Sequence, residues 1–176
     1  INQNLFGKVL PKTLPGSKDG YKVLEISVEE KATGEIMAGA GVGTDGTSFQ
    51  MAVTENNWLG RGVSLQGQFN LSEERVSGNI AVTNPNYKFS GNAVSAALDI
   101  SSTDQTTTSG YKSSSTGFSL GTSFEQYENI WFSPQLGISR EEIEAEATAS
   151  SNIQKMDGTY FNSDFTYGIT LDKRNQ

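Results

Sequence analysis

Four carboxylates, Glu141, Glu142, Glu144 and Glu146, fall within one short stretch. Clustered hard oxygens of this kind can bind a divalent cation. A solvated surface loop is the stronger reading, with its Glu and Ala content predicting a helical turn over 142–149. Gly41, Gly43 and Gly46 match the G-x-G-x-x-G spacing of a dinucleotide fingerprint, which works only where a helix N-terminus follows to receive the pyrophosphate. Here Ser48, Phe49, Gln50, Met51, Ala52 and Val53 alternate polar and apolar, so a strand follows instead. The chain has no His and no Cys. That removes imidazole general bases, thiol nucleophiles and His-bearing triads or metal sites. No pair of carboxylates stands out as a glycosidase pair. The expectation is no enzyme, no catalytic residue, no metal and no cofactor.

With bond chemistry set aside, the dominant signal is a strict period-two alternation. In the last strand Phe161, Phe165, Tyr167, Ile169 and Leu171 share one parity, and Asn162, Asp164, Thr166, Gly168 and Thr170 the other. Successive strand side chains point to opposite faces, so one face is greasy and the other is Gly, Ser, Gln, Asn and Thr. Eight such segments follow Thr33: 34–43, 47–55, 63–71, 76–83, 92–101, 116–124, 130–140 and 159–172. Each is near the roughly 9 to 11 residues that a tilted strand needs to cross hydrocarbon. Charges stay off the middle of the greasy faces, while Asp99 and Asp164 fall on the polar parity. A charge at mid-membrane depth on a lipid face costs about 2–4 kcal/mol, so this placement is informative. The fold class expected is all-β: an antiparallel transmembrane β-barrel wall of about eight strands, part of a larger barrel.

The 176 residues carry a net charge of −7 and only 35% apolar residues, as suits a wall with one wet face. No apolar run is long enough for a spanning helix, and residues 1–7 lack the features of a signal peptide. The acidic balance argues against nucleic acid as a partner. Trp58, Tyr87, Phe89, Tyr127 and Trp131 collect near the short connections, where amphipathic rings suit the headgroup layer. The other rim is expected to carry longer polar loops over 102–115 and 141–158. Gly39, Gly41 and Gly43 leave one face of the first wall strand bare, and Ala38 and Ala40 keep the other thin. Strand-interior glycine weakens pairing, so this strand reads either as a gate or as a place of close approach by another element. Before the wall, five lysines, Pro11, Pro15 and a Lys18, Asp19, Gly20 turn between two short strands suggest the tail of a small α+β module.

Specific runs then carry a family resemblance. They are Glu30, Lys31, Ala32, Thr33, Gly34; Gly39 to Gly46; and Glu55, Asn56, Asn57, Trp58, Leu59, Gly60, Arg61, Gly62. Val82 to Tyr87 and Leu171 to Asn175 add to them. These resemble the BamA family of outer-membrane protein assembly factors, at the junction of the last periplasmic POTRA module with the barrel. The resemblance implies the end of that module over 1–32 and the N-terminal half of a barrel of about sixteen strands over 33–176. It also implies a location in the outer membrane of a Gram-negative bacterium with the N-terminal segment in the periplasm. The partners implied are the lipid bilayer, unfolded outer-membrane protein clients and accessory lipoproteins of an assembly complex. Ile36, Met37, Ala38, Gly39, Ala40, Gly41, Val42 and Gly43 would be the lateral gate, pairing with a client strand. Alternatives are a TamA-like or two-partner secretion transporter, a passive porin and, last, a soluble β-sandwich.

Overall fold

A computed structural model describes residues 6–18, 20–43 and 46–173. Two strands, β1 (Phe6–Pro15) and β2 (Lys22–Glu30), form an antiparallel hairpin of their own. Its register stacks Val9, Pro11 and Thr13 on Val28, Ile26 and Leu24 on one face, and pairs Lys12 with Glu25 on the other. The turn closes through Tyr21 N to Lys18 O (3.1 Å) and Gly16 N to Tyr21 O (2.9 Å); Asp19 lies outside the described residues.

The rest is one eight-stranded sheet: β3 (Gly34–Gly43), β4 (Gly46–Trp58), β5 (Val63–Ser72), β6 (Arg75–Asn84), β7 (Ala93–Gln105), β8 (Tyr111–Tyr127), β9 (Ile130–Ala145) and β10 (Gly158–Leu171). Every strand pairs antiparallel with its sequence neighbours, in the order β3 to β10. Beyond Gly43 comes strand β4 and no helix, which closes the dinucleotide reading; Thr44 and Asp45 of that turn lie outside the described residues. No helix among the described residues is long and apolar enough to cross a membrane, a statement that leaves β-barrels untouched.

The sheet has no second layer among the described residues. The whole chain's accessible surface is 13191 Å², against about 8,400 Å² for a compact monomer of this mass. Among the described residues only Ile143 and Ala149 are buried apolar ones. In β8 the even-numbered residues from Lys112 to Leu120 are exposed and the odd-numbered ones half-buried, so the polar face is the concave one. An apolar convex face left open over eight strands needs hydrocarbon to cover it.

Two expectations are corrected at the rim where β7 meets β8 and β9 approaches β10, here called the hairpin rim. Residues 102–115 are not a long loop: β7 and β8 continue as a ladder, Ser101 opposite Ser115 and Thr103 opposite Ser113, up to a short turn at Thr106–Ser109. Backbone pairing there needs no apolar side chain, and where water covers both faces the hydrophobic alternation vanishes from the sequence. The helical turn expected over 142–149 is also absent, because Glu142 to Ala145 belong to β9. It forms instead at Ser151–Gln154, where the Ser150 hydroxyl accepts the Ile153 N–H as an N-cap (3.4 Å). The rims thus differ mainly in strand overhang, and only 146–157 is a long connection on this side.

Candidate lateral edge and membrane-facing wall

The ladders align side chains in rows across the sheet. On the convex face one row runs Met51, Phe69, Gly78, Ile100 and another Leu98, Phe118, Ile138. Leu136 stands opposite both Leu120 and Phe165, and Phe132 opposite Phe124 and Ile169. The rings of Phe124 and Phe132 meet edge to face at 5.8 Å, and Phe132 lies 6.2 Å from Tyr167. Pro134 occupies mid-strand in β9, and there the β8–β9 ladder skips from Gly121 opposite Gln135 to Phe124 opposite Phe132.

The concave face carries the expected polar set. Asn79 Nδ2 donates to Asp99 Oδ1 at 2.7 Å. Asp99, Asp164, Arg75 and the Ser119 and Ser139 hydroxyls line an open trough of about 500 Å³ floored by Gly117 and Gly137. The acidic run is split by the same period of two: Glu141 joins the concave parity, and Glu142 and Glu144 the convex one. No group of three or more acids among the described residues is arranged to hold a metal ion.

All eight residues expected to form the gate lie in β3, which has one ladder partner among the described residues, β4. Ile36, Ala38, Ala40 and Val42 share the convex parity; Met37, Gly39, Gly41 and Gly43 share the concave one. The glycines admit the neighbour's side chains. A Cβ on Gly39 would stand 3.1 Å from Gln50 Nε2, and one on Gly41 3.4 Å from Ser48 Oγ. A Cβ would thus press only on the flexible Gln50 side chain at Gly39, make an ordinary contact at Gly41 and face open space at Gly43.

Both ends of this edge hairpin are tied by polar groups that sequence reading missed. At the rim carrying the short turns after β4, β6 and β8, here called the turn rim, Asn56 N and Nδ2 donate to Thr33 O at 3.0 and 3.2 Å. Asn57 N donates to Glu55 Oε1 (2.7 Å) and Gly62 N to Asn57 Oδ1 (2.7 Å). At the hairpin rim the Glu73 carboxylate accepts the Thr47 N–H, and its neighbour Glu74 accepts Gln105 Nε2 at 3.1 Å. A turn of adjacent acids reads from sequence only as solvated charge; that the two reach opposite neighbours is decided by register.

The five rim aromatics all lie at the turn rim. Two of them are aimed by bulges. Glu55 faces Leu65 but Trp58 faces Val63, and Glu125 faces Trp131 but Tyr127 faces Ile130, so one extra residue in each strand turns Trp58 and Tyr127 to the convex parity. Tyr87 and Phe89 sit in the turn after β6, with Lys88 Nζ 5.3 Å from the Tyr87 ring. Trp131, opposite Thr170, takes the concave parity.

A continuous antiparallel meander, greasy outside and polar within, defines the class: the wall of a transmembrane β-barrel. The chain belongs to the Omp85 superfamily, whose domain matches residues 57–176. That membership places it in the outer membrane. Its fold is similar to that of BamA from Haemophilus ducreyi lacking POTRA domains 1-3, with a TM-score of 0.72 at 19% identity. The match covers 99% of this chain and 37% of that one, so this chain spans little more than a third of the length of that shortened one.

Proposed function

We propose that this chain is the gate-bearing half of a BamA-like barrel that folds and inserts outer-membrane proteins. The observation that carries the reading is the build of β3: one ladder partner, a bare concave face from Gly39 to Gly43, and small Ala38 and Ala40 on the convex face. Such an edge presents unpaired backbone N–H and C=O groups as a template for an incoming strand. On this reading residues 1–32 are the end of a POTRA module, the turn rim faces the periplasm and the hairpin rim the exterior. Accessory lipoproteins would join from the periplasmic side. The likeness in fold to BamA over nearly the whole chain supports a barrel of this kind.

Site-specific photocrosslinkers at Ala38 and Ala40 of the complete barrel protein test it during client assembly. Capture of a nascent barrel strand at these positions, and not at Ala81 or Ala97 on the concave face, is the expected result. Capture only of a secreted, unfolded substrate would favour the transporter reading and defeat the insertase one.

A further inference from the structure

The convex face is free of charge on β5 to β10 until one row near the hairpin rim. That row reads Ile100, Thr116, Arg140, Phe161; the row beneath it reads Leu98, Phe118, Ile138, Ser163. Above it come Glu142 and then Asp104, Lys112 and Glu144. Arg140 is therefore the first charged group above the hydrocarbon band, at the depth where lipid headgroups lie.

Below it the wall is dented. Thr116 and Ser163 are small among larger neighbours, and a groove of about 500 Å³ opens there, walled by Phe118, Ile138 and Phe161. Arg140 and the Thr116 and Ser163 side chains line the same groove. The Arg140 side chain is 54% exposed and contacts Glu142 Oε2 at 2.9 Å. Glu142 is the next outward residue of the same strand, and a solvent-exposed pair of this kind contributes little, so it does not commit the guanidinium.

We propose that this is a binding site for an acylated, phosphate-bearing lipid of the surrounding membrane. The guanidinium fork matches phosphate oxygens in two parallel hydrogen bonds. The two hydroxyls add donors beside it, and the apolar trough beneath receives one acyl chain. What covers the groove follows from the wall itself, since this face is the one that meets lipid. The site depends on that assignment and on neither the gate nor the orientation of the rims.

The test is native mass spectrometry of the complete barrel protein, released from micelles doped with diacyl phosphatidic acid or with the diacylglycerol of the same chains. Phosphatidic acid is expected to stay bound and diacylglycerol to be lost. Arg140→Gln should lower retention about tenfold, and Arg140→Lys, which keeps the charge but not the fork, should fall between that variant and wild type. Ser163→Phe, which fills the groove without touching the charge, should lower it as well. Thr116→Leu fills it from β8 and replaces that variant should Ser163→Phe fail to show the mobility shift of a folded barrel. Equal retention by wild type, Arg140→Gln and the filled-groove variant overturns the site. So does equal retention of diacylglycerol, or full displacement of phosphatidic acid by excess inorganic phosphate, which would mark a site for free phosphate.

Discussion

The Glu73 carboxylate accepts the backbone N–H of Thr47 at 3.1 Å and occupies the space that a Cβ on Gly46 would need. The β5–β6 turn thereby holds the tip of the β3–β4 hairpin, two strands away in sequence order. The turn is itself fixed, by Arg75 N to Ser72 Oγ (3.1 Å) and Ser72 Oγ to Arg75 O (3.3 Å). Asp104 N donates to Glu74 O at 2.7 Å on its other side. A charged acceptor is stronger than a neutral one, so Glu73→Gln should speed exchange of the Thr47 amide by about three- to tenfold. Amides of Ile36 to Ala38, at the other end of the strand, should stay unchanged. Uniform loosening of β3 in hydrogen exchange by mass spectrometry would refute Glu73 as a local tie.

The glycines of the edge hairpin differ in what they need, and alanine should separate them. Gly46 has φ +86°, and the Glu73 carboxylate crowds it. Gly46→Ala should therefore destabilise, by about 1–2 kcal/mol for a left-handed residue with a Cβ. Gly39 is extended, and a Cβ there meets the flexible Gln50 side chain, Nε2 at 3.1 Å and Cγ at 3.4 Å. Gly39→Ala should be neutral or stabilise by about 0.5–1 kcal/mol, since it lowers the entropy of the unfolded chain. Denaturant unfolding in detergent, followed by tryptophan fluorescence, gives both signs.

Much of this wall is legible from side-chain parity, and the exceptions have physical causes. Ile36, Ala38, Ala40 and Val42 alternate cleanly, and β3 begins and ends where that pattern does. Where a strand crosses hydrocarbon, every second residue must be apolar, so the sequence is constrained and readable. The run Ser113, Ser114, Ser115 is polar on both parities, and nothing in these side chains reports the ladder that holds them. Trp58 and Tyr127 sit on the wrong parity for their face by simple counting; only the bulges restore them, and a bulge has no residue signature here. The Glu73 tie and the Asn56 to Thr33 contact join residues 26 and 23 apart, which depends on registers that no local pattern encodes. The Gln50 side chain over Gly39 belongs to the same class.

Parity also predicts which substitutions the membrane rejects. Leu136 lies mid-band on the convex face, 62% exposed, and Gln135 precedes it on the concave face. Leu136→Arg should cost about 2–4 kcal/mol, and Gln135→Arg, on the polar face, much less. A lipid-phase label on single cysteines should likewise mark positions 165, 169 and 171 and spare 166 and 170. Equal labelling of the two sets would mean that hydrocarbon does not cover the convex face.

Above the charge-free band, the β7–β8 hairpin should respond to acid. The Asp104 carboxyl is held below its ordinary value of 3.8 by the Thr106 hydroxyl (2.7 Å) and the Thr106 N–H (3.2 Å), with Lys112 adding a favourable charge. A carboxyl whose folded value is depressed contributes its full stabilisation above the unfolded value and loses it as pH falls through the folded one. The hairpin tip should therefore be insensitive from neutral pH down to the ordinary aspartate range, and loosen only below it. Its neighbours depend on it: Gly110 O accepts Glu146 N at 2.8 Å, and Ala149 is buried close against Gly110, so loosening should spread to 146–157. Limited proteolysis with an acid-active protease reads this directly. Asp104→Asn should abolish the change over that interval, and a transition that persists in the variant would assign it to other carboxylates.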